Sequence, residues 1–261
     1  TTPQQTTPQQ PDEPVSQTGS TVIHVAVAGA LNVTDYVLDN AAHENGYDFS
    51  ETFLDVAPIL SGADLALLNF EGNLYGEPYG VDRSAPQSMM TALKRAGVDL
   101  LQLANSYPIY HGMDGLSKTI NGVRMAGMEP LGVYADERAY KAGKGFTIKE
   151  VEGVKIAFVA FTKGMDGMTL PVGSENCVNV LYEDYDSVYQ SVDSKKISSI
   201  LANVEKECSF RVTAASYDGG YGIVQWTGVR NTRLKNWCQE NGYNYATLEG
   251  QLWYLKYELE K

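Results

Sequence analysis

Two groups of residues have the types and spacing that chemistry requires. The first is Asn69, Glu71 and Asn105, a carboxylate and two amides that each stand where an apolar run gives out. The stretch Asp64-Leu-Ala-Leu-Leu-Asn-Phe-Glu-Gly-Asn73 runs apolar without alternation into Asn69 and Glu71, and Gly72 breaks it. Such a run is a strand buried on both faces, and open α/β sheets hold ligands at the carboxyl ends of such strands. The run Val98–Ala104 ends likewise at Asn105 and Ser106, and a first strand leads to Asn32 and Thr34. The second group is Glu207, Asp218, Tyr221, Gln225 and Trp226, around the glycine-rich Tyr217-Asp-Gly-Gly-Tyr-Gly-Ile-Val-Gln-Trp226. Glycosidic cleavage needs a carboxyl held protonated to give its proton to the leaving oxygen. Glu207, at the end of an apolar helix and close to Phe210, is the candidate acid, and Asp218 the candidate second carboxylate. Gln225 and Trp226 suit a sugar, with amide hydrogen bonds and a flat face for pyranose C–H groups. The plainer alternative stays open: Glu205 and Glu207 as a solvated helix end, and Trp226 as a core anchor.

The elements that must position these residues follow from the same text. Val22–Gly29 is β-branched and reads as a first strand. A helix is expected over Val33–His43, and Asp48 with Glu51 fits a capping box opening a helix Glu51–Leu60. After the central strand Asp64–Asn69, Ser84 and Gln87 repeat that pattern ahead of a helix Pro86–Ala96 stopped by Gly97. Val98–Ala104 is a strand, Met113–Ala126 a helix, and Pro130–Tyr134 a short strand. Phe146–Val151 and Val154–Phe161, joined at Glu152-Gly153, read as a hairpin. Near residue 195 the pattern changes to helices. Ile197, Ile200, Leu201 and Val204 share one helical stripe, and Leu234–Glu240 and Leu248–Leu259 are two further helices. The fold class is α/β, a layered and largely parallel sheet with flanking helices, followed by a small α-helical segment.

Composition narrows the partners. A formal charge of −12 with no cluster of Lys and Arg argues against nucleic acid and against anionic lipid. No apolar run reaches the roughly 18–20 residues of a membrane span. The three cysteines, Cys177, Cys208 and Cys238, form neither a zinc framework nor a disulfide-dense scaffold, though a Cys208–Cys238 bridge stays open in an oxidising compartment. Residues 1–20, a repeated Thr-Thr-Pro-Gln-Gln followed by more Pro, Gln and Ser, hold one large apolar residue and are expected to be a disordered linker. The chain opens at Thr1 and not Met, and linkers of this composition space exported domains from an anchor. An extracellular or cell-surface protein, tethered through that linker, is the expectation.

Asn69-Phe-Glu71, Leu103-Ala-Asn105, Gly112, Gly115-Leu-x-x-Thr119, Gly127-Met-x-Pro-x-Gly132 and Gly153-Val-Lys-Ile-Ala-Phe158 together resemble the CapA family of poly-γ-glutamate capsule synthesis, over about residues 21–193. That family is similar in fold to calcineurin-like metallophosphoesterases, which bind two metal ions at strand ends. The resemblance places Ala30 where the family has aspartate, and Ser106-Tyr107 where it has Asn-His, so no metal site and no cofactor is expected. His111 reads as a loop residue and not as a replacement ligand. Asn203, Glu207, Ser209 and Phe210, then Gly220-Tyr-Gly-x-x-Gln-Trp226, Arg230, Gln251-Leu and Glu258-Leu, resemble the phage-tail lysozyme family over about residues 197–261. This second resemblance favours Glu207 over Glu205 as the acid. It implies an organisation of linker 1–20, CapA-like domain 21–195 and partial lysozyme-like segment 196–261, with the helix near 195–207 as the seam. The expected partner is a cell-wall glycan or an anionic surface polymer. Asn69, Glu71, Asn105, Tyr221, Gln225 and Trp226 would bind it. Active hydrolysis, through Glu207 or through a metal-dependent first domain, is the alternative.

Overall fold

The computed structural model describes residues 21–80, 83–183, 192–208, 221–222 and 226–259, the side chains of 205, 207, 208 and 259 excepted. The linker 1–20, Asp218 and Gln225 lie outside the described residues, as does the side chain of Glu207. The elements run β1 (Val25–Asn32), α1 (Asp35–Ala41), β2 (Ala42–His43), β3 (Gly46–Tyr47), α2 (Ala57–Ser61), β4 (Leu65–Glu71), α3 (Gln87–Arg95), β5 (Leu100–Gln102) and α4 (Gly112–Met125). They continue with β6 (Glu129–Leu131), α5 (Glu137–Gly143), β7 (Thr147–Val151), β8 (Val154–Phe158), α6 (Ser194–Cys208), α7 (Gly228–Glu240) and α8 (Leu248–Leu259).

A four-stranded sheet in the order β1-β4-β5-β6 is parallel at every pairing. The apolar run of β4 explains its place inside the sheet. Ala66, Leu68 and Phe70 are buried, with Leu100 and Leu101 of β5 beside them. Met89, Met90 and Leu93 of α3, and Leu116, Ile120 and Val123 of α4, present helical-spaced apolar faces to the same core. Burial on this scale is the main stabilising term of the domain. The β7–β8 hairpin turns at Glu152 and Gly153, both at positive φ, the geometry that a two-residue type I′ loop requires.

Several expected boundaries shift for local reasons. β1 starts at Val25 and runs past Gly29 to Asn32, with a register break between Ala28 and Ala30 that lets both halves pair with β4. The expected helix Glu51–Leu60 shrinks to α2. Asp48 accepts the Ser50 amide at 2.9 Å, and i→i+3 bonds from Thr52 and Val56 make turns. Pro58 near the start of α2 has no amide to give and clashes with a preceding helical turn, so the helix begins only there. The second expected capping box does not form either. Ser84 Oγ donates to Gly76 O and accepts from the amides of Tyr75 and Gly76, while Gln87 reaches Gly122 O. α5 was not anticipated: it is a short helix with few apolar residues, capped by Asp136, which accepts the Ala139 amide at 2.7 Å.

The C-terminal helices form their own small core of Trp226, Leu234, Cys238 and Tyr254. Cys238 is a free thiol that donates to Gly250 O, so it is not bridged to Cys208. α6 stands between this core and the sheet domain. Its Ile200 packs so closely on Gly145, at φ +87, that a side chain there would collide with it. No helix among the described residues is long and apolar enough to cross a membrane.

Candidate functional site

The strand ends bring Asn69, Glu71 and Asn105 together. Asn69 is the fifth residue of β4, and the parallel register sets it opposite Gln102 at the end of β5, which aims the chain at Asn105. Asn105, buried to 7% exposure, donates from Nδ2 to Asn69 Oδ1 at 3.0 Å and to Phe70 O at 2.7 Å. Its Oδ1 accepts the Tyr107 amide at 2.9 Å. Asn69 in turn donates to Glu71 Oε1 at 3.0 Å. Both amide carbonyls are thereby engaged inside the network, and the half-buried carboxylate of Glu71 is left with acceptor capacity beyond the Asn69 amide.

A ring-lined surface continues from this network. Asn73, 1% exposed, donates to Tyr107 O and accepts the His111 amide, which fixes the loop between β5 and α4. Tyr75 and His111 stack at 4.4 Å between centroids, and Tyr110 meets His111 edge-on at 5.3 Å. Gly115 permits this, since a Cβ there would strike His111 Cβ. Arg83 lies 3.3 Å over the Tyr107 ring and Lys118 4.4 Å over Tyr75, and Arg83 O accepts the Asn73 amide. Sequence reasoning missed Tyr75, Arg83, Tyr107, Tyr110 and His111 as a group. The signal available was three tyrosines, Tyr75, Tyr107 and Tyr110, around the two strand ends. Their convergence depends on the buried amides, which periodicity does not display. Asn32 pairs in register with Glu71 but is exposed.

The metallophosphoesterase-like fold raises the question of a metal pair, and the donor set does not fit one. Ala30 and Tyr107 supply no ligand at the strand ends, and the Asn69 and Asn105 carbonyls are engaged by hydrogen bonds. Among the described residues no group of three His, Cys, Asp or Glu side chains converges. A dinuclear centre needs several oxygen or nitrogen donors, and Glu71 is the one carboxylate of this network.

Of the second group, Tyr221 and Trp226 are the members whose side chains lie among the described residues, and they pair through their backbones. Trp226 is fully buried, its indole Nε1 donating to Glu258 Oε2 at 2.7 Å, so the ring face is turned into the core and not offered to a sugar. Arg230 grips the same carboxylate through Nε at 3.1 Å and Nη2 at 2.7 Å. Burial alone would raise the Glu258 pKa, but the donors from Arg230 and Trp226 outweigh it and hold the group below its usual range. Tyr254 beside it is pushed up to about 12, first by burial and then by the Glu258 charge. Glu258 is thus an ionised anchor and unsuited to donate a proton near neutral pH. Tyr221 pairs its backbone with Trp226 and sits half-buried against Tyr245, at 5.8 Å. Gly222 lies against the buried Gln251 amide with no room for a side chain.

An α/β layered domain with a parallel sheet, its strand ends gathering Asn69, Glu71 and Asn105, is the class of the larger part. The family model of bacterial capsule synthesis protein PGA_cap matches residues 24–220, well over half of the chain, and the chain belongs to that family. Residues 188–261 match the phage tail lysozyme model. The two matches overlap over 188–220, which contains α6. A capsule biosynthesis protein CapA of Bacillus anthracis is 29% identical over 126 residues, 45% of this chain and 30% of that protein. The chain therefore spans about a third of the length of that curated relative. An NAD nucleotidase of Haemophilus influenzae is similar over 72% of this chain and 33% of its own, at 13% identity and a TM-score of 0.38.

Proposed function

We propose that this chain acts at the cell envelope, outside the cytoplasm, as a polymer-holding protein. Its capsule-synthesis domain would bind a glycan or an anionic surface polymer without metal-dependent turnover, having lost most of the family's ligands. Its lysozyme-like segment would add contact with peptidoglycan. In this reading the chain divides into the linker 1–20, which tethers it, the domain 21–195 and the segment 196–261. The observation that supports it best is the strand-end network. Asn69 Oδ1 accepts from Asn105 and Asn105 Oδ1 from the Tyr107 amide, and these residues hold both the Glu71 carboxylate and the loop whose Tyr107 ring lies under Arg83, with the Tyr75–His111 stack further along it. Rings with a carboxylate suit sugar faces and hydroxyls, and Arg83 suits an anionic substituent on a chain of net charge −12, Lys118 being paired with Asp114 at 2.8 Å.

Co-sedimentation with purified cell walls and with poly-γ-glutamate, alongside a wall-turbidity assay, tests this. Binding that survives chelator and falls in a Tyr75→Ala/Tyr110→Ala variant is the expected result. Turbidity clearing that Glu207→Gln lowers by about 10²–10⁴, the usual cost of a lost general acid, would instead establish a hydrolase. Binding abolished by chelator would return the metal to the first domain.

A further inference from the structure

The geometry points to Arg83 as the residue that selects the ligand at the strand ends, and to a glycan whose sugar units carry carboxylates as the ligand it selects. This rests on the polymer-holding reading above and narrows it. Arg83 has a φ of +54°, in the left-handed region that few residues other than glycine adopt. Its backbone is clamped there from both sides. Its N–H donates to Gly80 O at 2.7 Å, and its carbonyl accepts the Asn73 amide at 2.8 Å. Gly72 lets that carbonyl approach, since a Cβ there would sit 3.0 Å from it. The guanidinium carbon then lies 3.3 Å from the centre of the Tyr107 ring, and Asn105 holds the Tyr107 amide. A backbone outlier retained in this way is a pointer to function.

The unspent donors decide what kind of group Arg83 takes. A guanidinium stacked on a ring keeps its in-plane N–H groups for other partners, and that planar fork matches the two oxygens of a carboxylate. Among the described residues the Arg83 side chain makes no hydrogen bond and no ion pair; the Tyr107 ring is its contact. With 32 Asp and Glu against 20 Lys and Arg, this chain has acids to spare, yet none is set on this half-buried arginine. Lys118, over the Tyr75 ring, is by contrast taken by Asp114. Glu71 decides what carries the carboxylate. The network that holds Tyr107 also holds Glu71, whose lone pairs extend beyond the Asn69 amide. A sugar acid meets both ends, its carboxylate pairing with Arg83 and its hydroxyls donating to Glu71. The exposed ring of Tyr110 adds a surface for sugar C–H groups. A polymer whose every unit offers a carboxylate and no hydroxyl brings its charge against Glu71 and the chain's net −12.

Oligogalacturonate, with chelator present, is the probe for calorimetric titration of the full chain. Its methyl-esterified form, which keeps the sugars and loses the charge, and poly-γ-glutamate of the same length are the controls. The chain should bind the probe roughly tenfold or more tightly than either control, the size of one charged hydrogen-bonded contact. Arg83→Gln should bring probe binding down to the level of the ester while binding of the ester itself stays. Arg83→Gly relieves the left-handed backbone, so its Tm should hold or rise while the preference is lost, which a purely structural arginine would not give. Equal affinity for the ester, a preference that survives both variants, or tighter binding of poly-γ-glutamate would each overturn the assignment and leave the polymer-holding reading in place. No binding to any of the three, nor to purified cell walls, would overturn both.

Discussion

Glu71 and Glu258 make the most instructive comparison in the molecule. Both are glutamates at the end of an element, and both accept hydrogen bonds from side chains. Glu258 takes the Trp226 indole and a two-pronged Arg230, and its pKa falls despite burial. Glu71 takes one amide from Asn69, in a network whose other oxygens are already engaged. The first carboxylate is used up in holding α7 and α8 together, and the second keeps lone pairs open beyond the Asn69 amide. Residue type does not separate recognition from stability here; the number of donors each acid has already received does.

Removing Trp226 should break the C-terminal side of that comparison most severely. Trp226→Ala empties the centre of the small core and strips a donor from Glu258. A loss of about 3–5 kcal/mol is expected. Thermal melts followed by near-UV circular dichroism should show the C-terminal unit unfolding first, with the sheet domain unchanged. On the other side, Asn105→Ala deletes three hydrogen bonds at roughly 1 kcal/mol each and leaves Phe70 O without that donor, so about 2–3 kcal/mol is expected. Unlike the tryptophan change, it should also release the Tyr107–His111 loop, seen as faster hydrogen exchange there.

The smallest effect concerns pH. Because the folded pKa of Glu258 is depressed, its stabilisation is complete above the unfolded value of 4.5 and is lost as pH falls through the lower folded value. Chemical denaturation between neutral pH and pH 3 should therefore show a decline on the acid side, and Glu258→Gln should remove Glu258's share of it. At neutral pH the same variant should cost about 1–1.5 kcal/mol, the difference between charged and neutral hydrogen bonds. An unchanged acid limb would contradict this role of Glu258.

The parallel sheet was legible in the sequence because β4 and β5 are apolar without alternation, and α8 because its leucines repeat at helical spacing. The grouping of Asn69, Glu71 and Asn105 was legible too, since strand ends in such a sheet share one edge. The aromatic surface was not, because what gathers Tyr75, Tyr107 and His111 is the buried side chain of Asn73, 38 residues before the histidine whose amide it accepts. Local rules failed where tertiary contacts took the same side chain. Ser84 reads as a helix cap and in fact ties the Tyr75–Gly76 turn. Trp226 reads equally as sugar platform and core anchor, and only its depth beneath Tyr254 and Glu258 shows which the fold uses.

The reading of the strand ends as a holding surface stands most directly on metal stoichiometry. The purified chain would be incubated with Mn²⁺ or Zn²⁺, dialysed against a weak chelator and subjected to elemental analysis, with Ala30→Asp in parallel to supply the acidic donor that the family resemblance places there. The account predicts no stoichiometric metal in the parent, with polymer binding unchanged by the treatment. One or two equivalents retained by the parent, and lost on Glu71→Ala, would contradict it.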